Sequence, residues 1–346
     1  MPLLGLLLGA SVLSGGCGGA GTEAGGGTPA ASAFLSLGTA PPGGAFFVVG
    51  GALAEVLNEH GEANGWQVTA EATKGTRENI RRLARGEMDL ALANAAITYF
   101  AIRGEPAGEW DLTYEIRSVM TLAPNVAMFV TPRDGGVTRI PDLAGKRVVV
   151  GVAGAGFEFF VRPLLAAHGV GYDDFTPLYN TQAGAVDMLA DGSAAAAFLG
   201  GAVPTSSITQ AAAGRDVLLV PFDPEARERL IEEYPFFEPV EVPGGTYPGQ
   251  DEPYAGLDVG SMHLIVAADA DEDLVYRVAK TIYDSRARVT EKHAAGRAIN
   301  PANVVRDTGT PFHPGAIRFY SEIGIWPGED AAAAEGDPAV ESGESP

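Results

Sequence analysis

The residues best able to do chemistry in this chain gather at glycine turns. The run GVAGAGFEFF, residues 151–160, follows the apolar stretch KRVVV and leads into FEFFVRPLLAAHG, whose apolar spacing is helical. Glycines at a strand-to-helix junction present backbone N–H groups to an anion, and the helix N-terminus adds partial positive charge. The glycines are Gly151, Gly154 and Gly156, a G-x-x-G-x-G pattern and not the dinucleotide fingerprint G-x-G-x-x-G. No G-x-x-x-x-G-K-[ST] loop, H-E-x-x-H pair or G-x-S-x-G elbow occurs. His60, His168, His263, His293 and His313 are scattered without metal-ligand spacing. Glu158 and Arg162 are four apart on one helix and read as an ion pair. Asp269, Asp271, Glu272 and Asp273 read as capping and first-turn charge, since a calcium loop would need a glycine and a distal glutamate. These patterns point to binding without chemistry, with neither metal nor cofactor.

The elements that must position such turns alternate along the chain. AFLSLGTA reads as a strand, AFFVVGGALAEVLNEHG as a helix, WQVTAEAT as a strand, KGTRENIRRLARGE as a helix and MDLALAN as a strand. IRSVMTLAPN and VAMFVTP follow as apolar strands. A second series begins after PDLAGK with RVVVGV, the helix from Gly156, the helix AGAVDMLADG, the strand AAAAFLGG, the helix SSITQAAAG and the strand VLLVPF. The last third adds the strand SMHLIVAAD and one long helix, DEDLVYRVAKTIYDSRARVTEKH. Repeated βα units predict mostly parallel sheets covered by helices, here in two α/β lobes. Ligands bind beyond the carboxyl ends of such strands. The loops there are TAPPGGAFF, TKGTRE, NAAI, AGAGFE and GGAVPTSS, all rich in glycine, small residues or hydroxyls. Together they predict a small-anion pocket between the lobes.

At 346 residues and 46% hydrophobic the chain can bury a large core, and its formal net charge is −21. That field repels a nucleic-acid backbone, so nucleic-acid partners are excluded. The single cysteine, Cys17, follows the short apolar run LLGLLLGASVLSGG and precedes GGAGTEAGGGTPAAS, a flexible tether. This arrangement resembles a bacterial lipoprotein signal, residues 1–17, in which Cys17 carries the lipid; a plain secretory signal with an incidental cysteine is the alternative. Residues 18–31 then form a linker. Either reading places the protein outside the cytoplasm, and the lipid would anchor it to the membrane. The acidic stretch at 329–346 cannot bury enough surface to fold and reads as a disordered tail.

Three segments, VPGGTYPGQDE, DEDLVYRVAKTIYD and PFHPGAIRFYSEIG, occur in that order behind EATKGTRENIRRLARGEMDLALAN and IPDLAGKRVVVGVAGAGFE. Over about residues 34–327 the chain resembles the TAXI-type solute receptors of TRAP transporters. The resemblance implies an α/β, two-lobed periplasmic-binding-protein-like fold of type II, hinged between two mostly parallel or mixed sheets covered by helices. Lobe 1 would comprise residues 32–128 and 265–328, and lobe 2 residues 129–264, with hinges near Val130–Thr131 and Leu264–Val266. It implies a receptor, not an enzyme, that passes a small carboxylate or amino-acid-like solute to TRAP permease membrane subunits. A sensory binding protein feeding a signalling partner is the alternative.

Carried over by position, the ligand-binding residues implied are Gly44, Ala45, Phe46, Phe47, Lys74, Gly75, Thr76, Asn94, Ala155, Gly156, Phe157, Thr205 and Tyr247. Several depart from the family's polar pattern: Phe46–Phe47 replaces a tyrosine-containing pair, and Asn94-Ala95-Ala96 stands for Gln-Ser-Asp. The site should therefore prefer an acid with an apolar body. Phe157 is equally readable as a core residue, Lys74 as a solvated loop lysine, and Tyr247 as packing within its turn.

Overall fold

A computed structural model describes residues 33–42, 44–106 and 109–327. Cys17, the segments 1–17, 18–31 and 329–346, and Gly43 lie outside the described residues.

The first series is β1 (Ala33–Gly38), α1 (Ala45–Glu59), α2 (Gly61–Asn64), β2 (Trp66–Glu71), α3 (Thr76–Ala84), β3 (Leu90–Asn94), α4 (Ala95–Ala101) and β4 (Ile116–Thr121). The second is β5 (Val126–Pro132), β6 (Arg147–Val149), α5 (Glu158–Ala167), β7 (Thr176–Leu178), α6 (Gln182–Ala190), β8 (Ala196–Gly201), α7 (Ser206–Gly214), β9 (Val217–Leu219), α8 (Pro224–Glu233), β10 (Phe237–Val242) and β11 (Tyr254–Val259). The chain closes with β12 (Met262–Ala267), α9 (Glu272–Asp284), α10 (Arg286–Lys292), α11 (Pro301–Val304) and α12 (Pro314–Glu322).

Two mixed sheets result. The first has the order β2-β1-β3-β12-β4, with β1 parallel to β2 and β3, and β12 antiparallel to β3 and β4. The second has the order β10-β11-β5-β8-β6-β7, with β9 also on β5. Its β8-β6-β7 portion is parallel and the rest antiparallel. The molecule is thus a two-lobed α/β fold of the periplasmic-binding-protein type.

Three local differences from the sequence reading have simple causes. The long helix breaks at Ser285 into α9 and α10, where the backbone turns to φ −97°, ψ 17°. The hairpin β10–β11 was not expected, because Pro239 and alternating glutamates obscure FEPVEV; β10 is an edge strand, where proline is tolerated. The chain changes sheet between Thr121 and Val126, and again between Val259 and Met262. These crossovers lie before Val130–Thr131 and Leu264–Val266, because β5 and β12 each run unbroken within one sheet.

One apolar core, including Leu37, Leu53, Leu92, Leu264 and Phe319, fills the space between one face of the first sheet and its helices. The other core is shared by both lobes, running from Ile80, Ala93 and Ile97 to Phe159, Leu199 and Leu257.

Candidate functional site

The carboxyl ends of β2, β1 and β3 are stitched together by side chains. Thr73 Oγ1 donates to Thr39 O (3.0 Å), and Asn79 Nδ2 donates to Thr39 O and Leu92 O (2.8 Å each). Gly75 N–H donates to Thr73 Oγ1 (3.1 Å), and Asn94 N–H to Thr76 Oγ1 (3.0 Å). Thr76 and Asn94, two of the expected site residues, are therefore brought together, but their polar groups hold the loops to each other. Asn94 is fully committed: Oδ1 caps α4 by accepting Ile97 N–H (3.2 Å), while Nδ2 donates to Gly260 O (2.7 Å). Both polar atoms of the Asn94 side chain are thus engaged within the fold. Gly260, at φ 104°, is a close approach. A Cβ there would lie 2.6 Å from Asn94 Oδ1 and 2.7 Å from Ala96 N, so the second crossover seals the α4 N-terminus.

Lys74 is exposed, and its N–H donates to Glu78 Oε2 (3.1 Å), which fits a solvated loop lysine. Gly44 is the extended N-cap of α1, Ala45 and Phe46 pack partly against the first core, and Phe47 is half-buried.

From the opposite lobe comes the turn 151–157. Phe157 folds back on its own loop: a Cβ on Gly151 would meet the Phe157 ring at 2.5 Å, and the ring lies 5.4 Å from Phe160. Phe157 thus packs on its own turn. Ala155 and Gly156 are buried. Gly156 is where the lobes touch, since a Cβ there would lie 3.0 Å from Ile97 Cδ1 and 3.2 Å from Arg77 Cγ. Thr205 and Tyr247 form a separate pair within the second lobe. Thr205 N–H, at the start of α7, donates to the Tyr247 hydroxyl (2.9 Å), and Tyr247 is buried.

Sequence reasoning missed Arg77, Ile97, Phe100, Trp110 and Phe159. The Arg77 side chain is only 17% exposed. Its guanidinium lies 5.0 Å from the Trp110 ring centre and 5.4 Å from that of Phe159, and Nη2 donates to Glu109 O (2.6 Å). Phe159 stacks on Trp110 (5.1 Å) and Phe100 (5.7 Å), so aromatic side chains of both lobes interleave. One signal was legible: Arg77 sits in the first turn of α3, where the helix dipole disfavours a cation.

His263 is fully buried with Nε2 2.9 Å from Thr98 Oγ1, and burial pushes its pKa down to about 3. Among the described residues no group of three or more His, Cys, Asp or Glu side chains could hold a metal ion. A hollow of about 350 Å³, between Gly145, Lys146, Arg147 and Arg215, lies at the N-terminal end of β6, opposite the end carrying Gly151.

A model of the NMT1-like family matches residues 37–324. The chain belongs to the NMT1-like family. Among solved structures, a protein of Bordetella bronchiseptica RB50 superposes with a TM-score of 0.50 at 13% identity, covering 88% of this chain and 93% of that one. The alkanesulfonate-binding protein SsuA from Xanthomonas axonopodis pv. citri, bound to MOPS, gives a TM-score of 0.46 at 17% identity, covering 86% of each chain. The amino acid ABC transporter substrate-binding protein AbpA from Streptococcus pneumoniae, bound to L-arginine, gives 0.45 at 12% identity, covering 77% of this chain and 95% of that one. What this NMT1-like chain shares with the Bordetella structure is its two-lobed α/β fold.

Proposed function

We propose that this chain is an extracytoplasmic solute receptor, not an enzyme, that belongs to a TAXI-type TRAP transporter, is held at the membrane by a lipidated Cys17, and binds a small carboxylate with an apolar body between its lobes for delivery to the permease. The observation that carries this reading is the meeting of Gly156 with Ile97 and Arg77. There a glycine turn at the start of α5 faces the first turn of α3 across the lobe boundary. Helix N-termini favour acid groups, arginine recognises carboxylates in a two-pronged fashion, and Ile97 supplies apolar surface. The contact is closed, so the lobes must part to admit a solute. A solute touching both lobes then stabilises the closed form. The TAXI assignment is supported by the ordered segments VPGGTYPGQDE, DEDLVYRVAKTIYD and PFHPGAIRFYSEIG.

Calorimetry with keto acids, small dicarboxylates, apolar amino acids, glutamate, glutamine and aliphatic sulfonates tests the solute class. A keto acid, dicarboxylate or apolar amino acid should bind tightest. Tightest binding of glutamate, glutamine or a sulfonate would overturn the reading. Mass analysis of the mature N-terminus should find a diacylated Cys17, and an unmodified peptide running through Cys17 would end the anchor proposal. Capture of a histidine kinase in place of a permease would assign the receptor to sensing.

A further inference from the structure

Both crossovers converge on one carboxylate. Asp258, in β11 of the second lobe, has no exposed surface. Its Oδ1 accepts the N–H of Asn125 in the first crossover (3.0 Å), and its Oδ2 accepts the hydroxyl of Ser261 in the second. Arg306, which follows α11 in the first lobe, reaches the same place. Its Nη2 donates to Ser261 Oγ and lies 3.4 Å from Asp258 Oδ2, while Nη1 lies 2.6 Å from Glu238 Oε1 on β10. Arg306 is itself anchored, with Nε donating to Asn303 Oδ1 (3.2 Å) and its carbonyl accepting from Thr121 Oγ1 (3.0 Å). Asn303 Nδ2 in turn donates to Leu122 O (2.9 Å), at the start of the first crossover.

We propose that Asp258, Ser261 and Arg306 form a clamp across the two crossovers that sets the angle between the lobes and, through the Gly260–Asn94 bond, the position of the α4 N-terminus at the cleft. Arg306 is then a positioning residue for solute binding that touches no solute. The physical reason is the cost of separating buried charges. Rotation of the lobes must lengthen the Asp258–Arg306 or Glu238–Arg306 contact, and a buried carboxylate that loses its partner is strongly disfavoured. The second crossover couples outward as well, because Asn94 holds Gly260 O and caps α4 with the same side chain. The ionisable groups that act on Asp258 are Arg306 and Glu238, and Arg306 also acts on His263. Burial, opposed by the hydrogen bond from Ser261 and the charge of Arg306, raises Asp258 to about 6, so mild acid neutralises it and weakens its hold on Arg306. His263 stays neutral through that range.

The clamp rests on the receptor reading only in that lobe rotation admits the solute, and its test needs no solute. Spin labels at Glu62→Cys on α2 and Glu228→Cys on α8, in a Cys17→Ser background, report the distance between lobes by pulsed electron resonance. The parent should show one narrow population at about pH 7.5 that broadens toward longer distances at about pH 5. Arg306→Gln should be broad at both values, Arg306→Lys should recover part of the narrow population, and Asp258→Asn should lose the pH response. If Arg306→Gln does not fold, Ser261→Ala and Glu238→Gln carry the same expectation. Folded variants with the parental distribution and the parental pH response would overturn the clamp, whatever solute is later found.

Discussion

Each polar residue at the strand ends has one set of donors and acceptors, and the fold uses most of them internally. Asn94→Ala removes the cap on Ile97 and the donor to Gly260, and should destabilise by about 2–4 kcal/mol in urea unfolding. A loss under about 1 kcal/mol would show that Asn94 is not structural. Tyr247→Phe leaves the Thr205 N–H without its acceptor and should cost about 1–3 kcal/mol. An unchanged unfolding midpoint with weakened solute binding would reassign Tyr247 to the solute. Of Lys74 and Arg77, only Arg77 is largely buried. Arg77→Ala should weaken binding of the calorimetric panel's best acid by roughly tenfold to a hundredfold, since a hydrogen bond to a charged group is worth about 1.5–3 kcal/mol. Lys74→Ala should leave it within about twofold. The opposite ranking would restore Lys74 as the recognition residue.

Among the elements, the turn from β6 to α5 is the most informative, because it joins the lobes by a backbone contact. Gly156→Ala adds a methyl that meets Ile97 and Arg77, at a backbone φ of 97°. Gly154 also has positive φ, 74°, but a methyl there meets nothing within 4 Å. Both alanines should incur left-handed strain of about 1–2 kcal/mol, and only Gly156→Ala should also push the lobes apart. Small-angle scattering should show a larger radius of gyration for Gly156→Ala than for Gly154→Ala. Equal radii would mean that the contact between α4 and α5 does not govern closure. The aromatic stack of Phe100, Phe159 and Trp110 resists the same opening, each pair adding about 0.5–1.5 kcal/mol beyond its burial.

For the whole molecule, two buried groups give stability opposite dependences on pH. His263 is held at about 3 against an ordinary 6.5, so the unfolded chain binds its proton more readily. Its contribution is fully present above about pH 6.5 and is lost as pH falls toward 3. Asp258 is raised to about 6 against 3.8, so the folded chain binds that proton more readily. Its contribution grows as pH falls from 6 toward 4 and is lost as pH rises again. Between about pH 6 and 4 the two oppose each other, and below that range the histidine acts alone. Relative to the parent, Asp258→Asn should lose stability more steeply from pH 6.5 to 4.5, and His263→Asn less steeply, in urea midpoints taken at each pH. Parallel profiles for all three proteins would refute the assignment.

Local pattern alone determined the two βα series, the glycine turns at strand ends, and the absence of nucleotide and nucleophile motifs. Apolar periodicity and glycine placement are properties of neighbours in the chain, so a single sequence displays them. Tertiary structure alone decided what those turns are for. Thr76 looked available until the N–H of Asn94, eighteen positions away, was found on its hydroxyl. Tyr247 and Thr205 are forty-two positions apart, and Arg306 stands forty-eight from Asp258. Phe157 turned back on Gly151, and Arg77 crossed to the opposite lobe, through packing that no periodicity encodes. Hydrogen-bond partners and buried charges are settled by which distant groups the fold brings within 3 Å or so. The chain therefore declared a two-lobed α/β fold by itself, while which of its polar residues hold the strand ends together required the folded molecule.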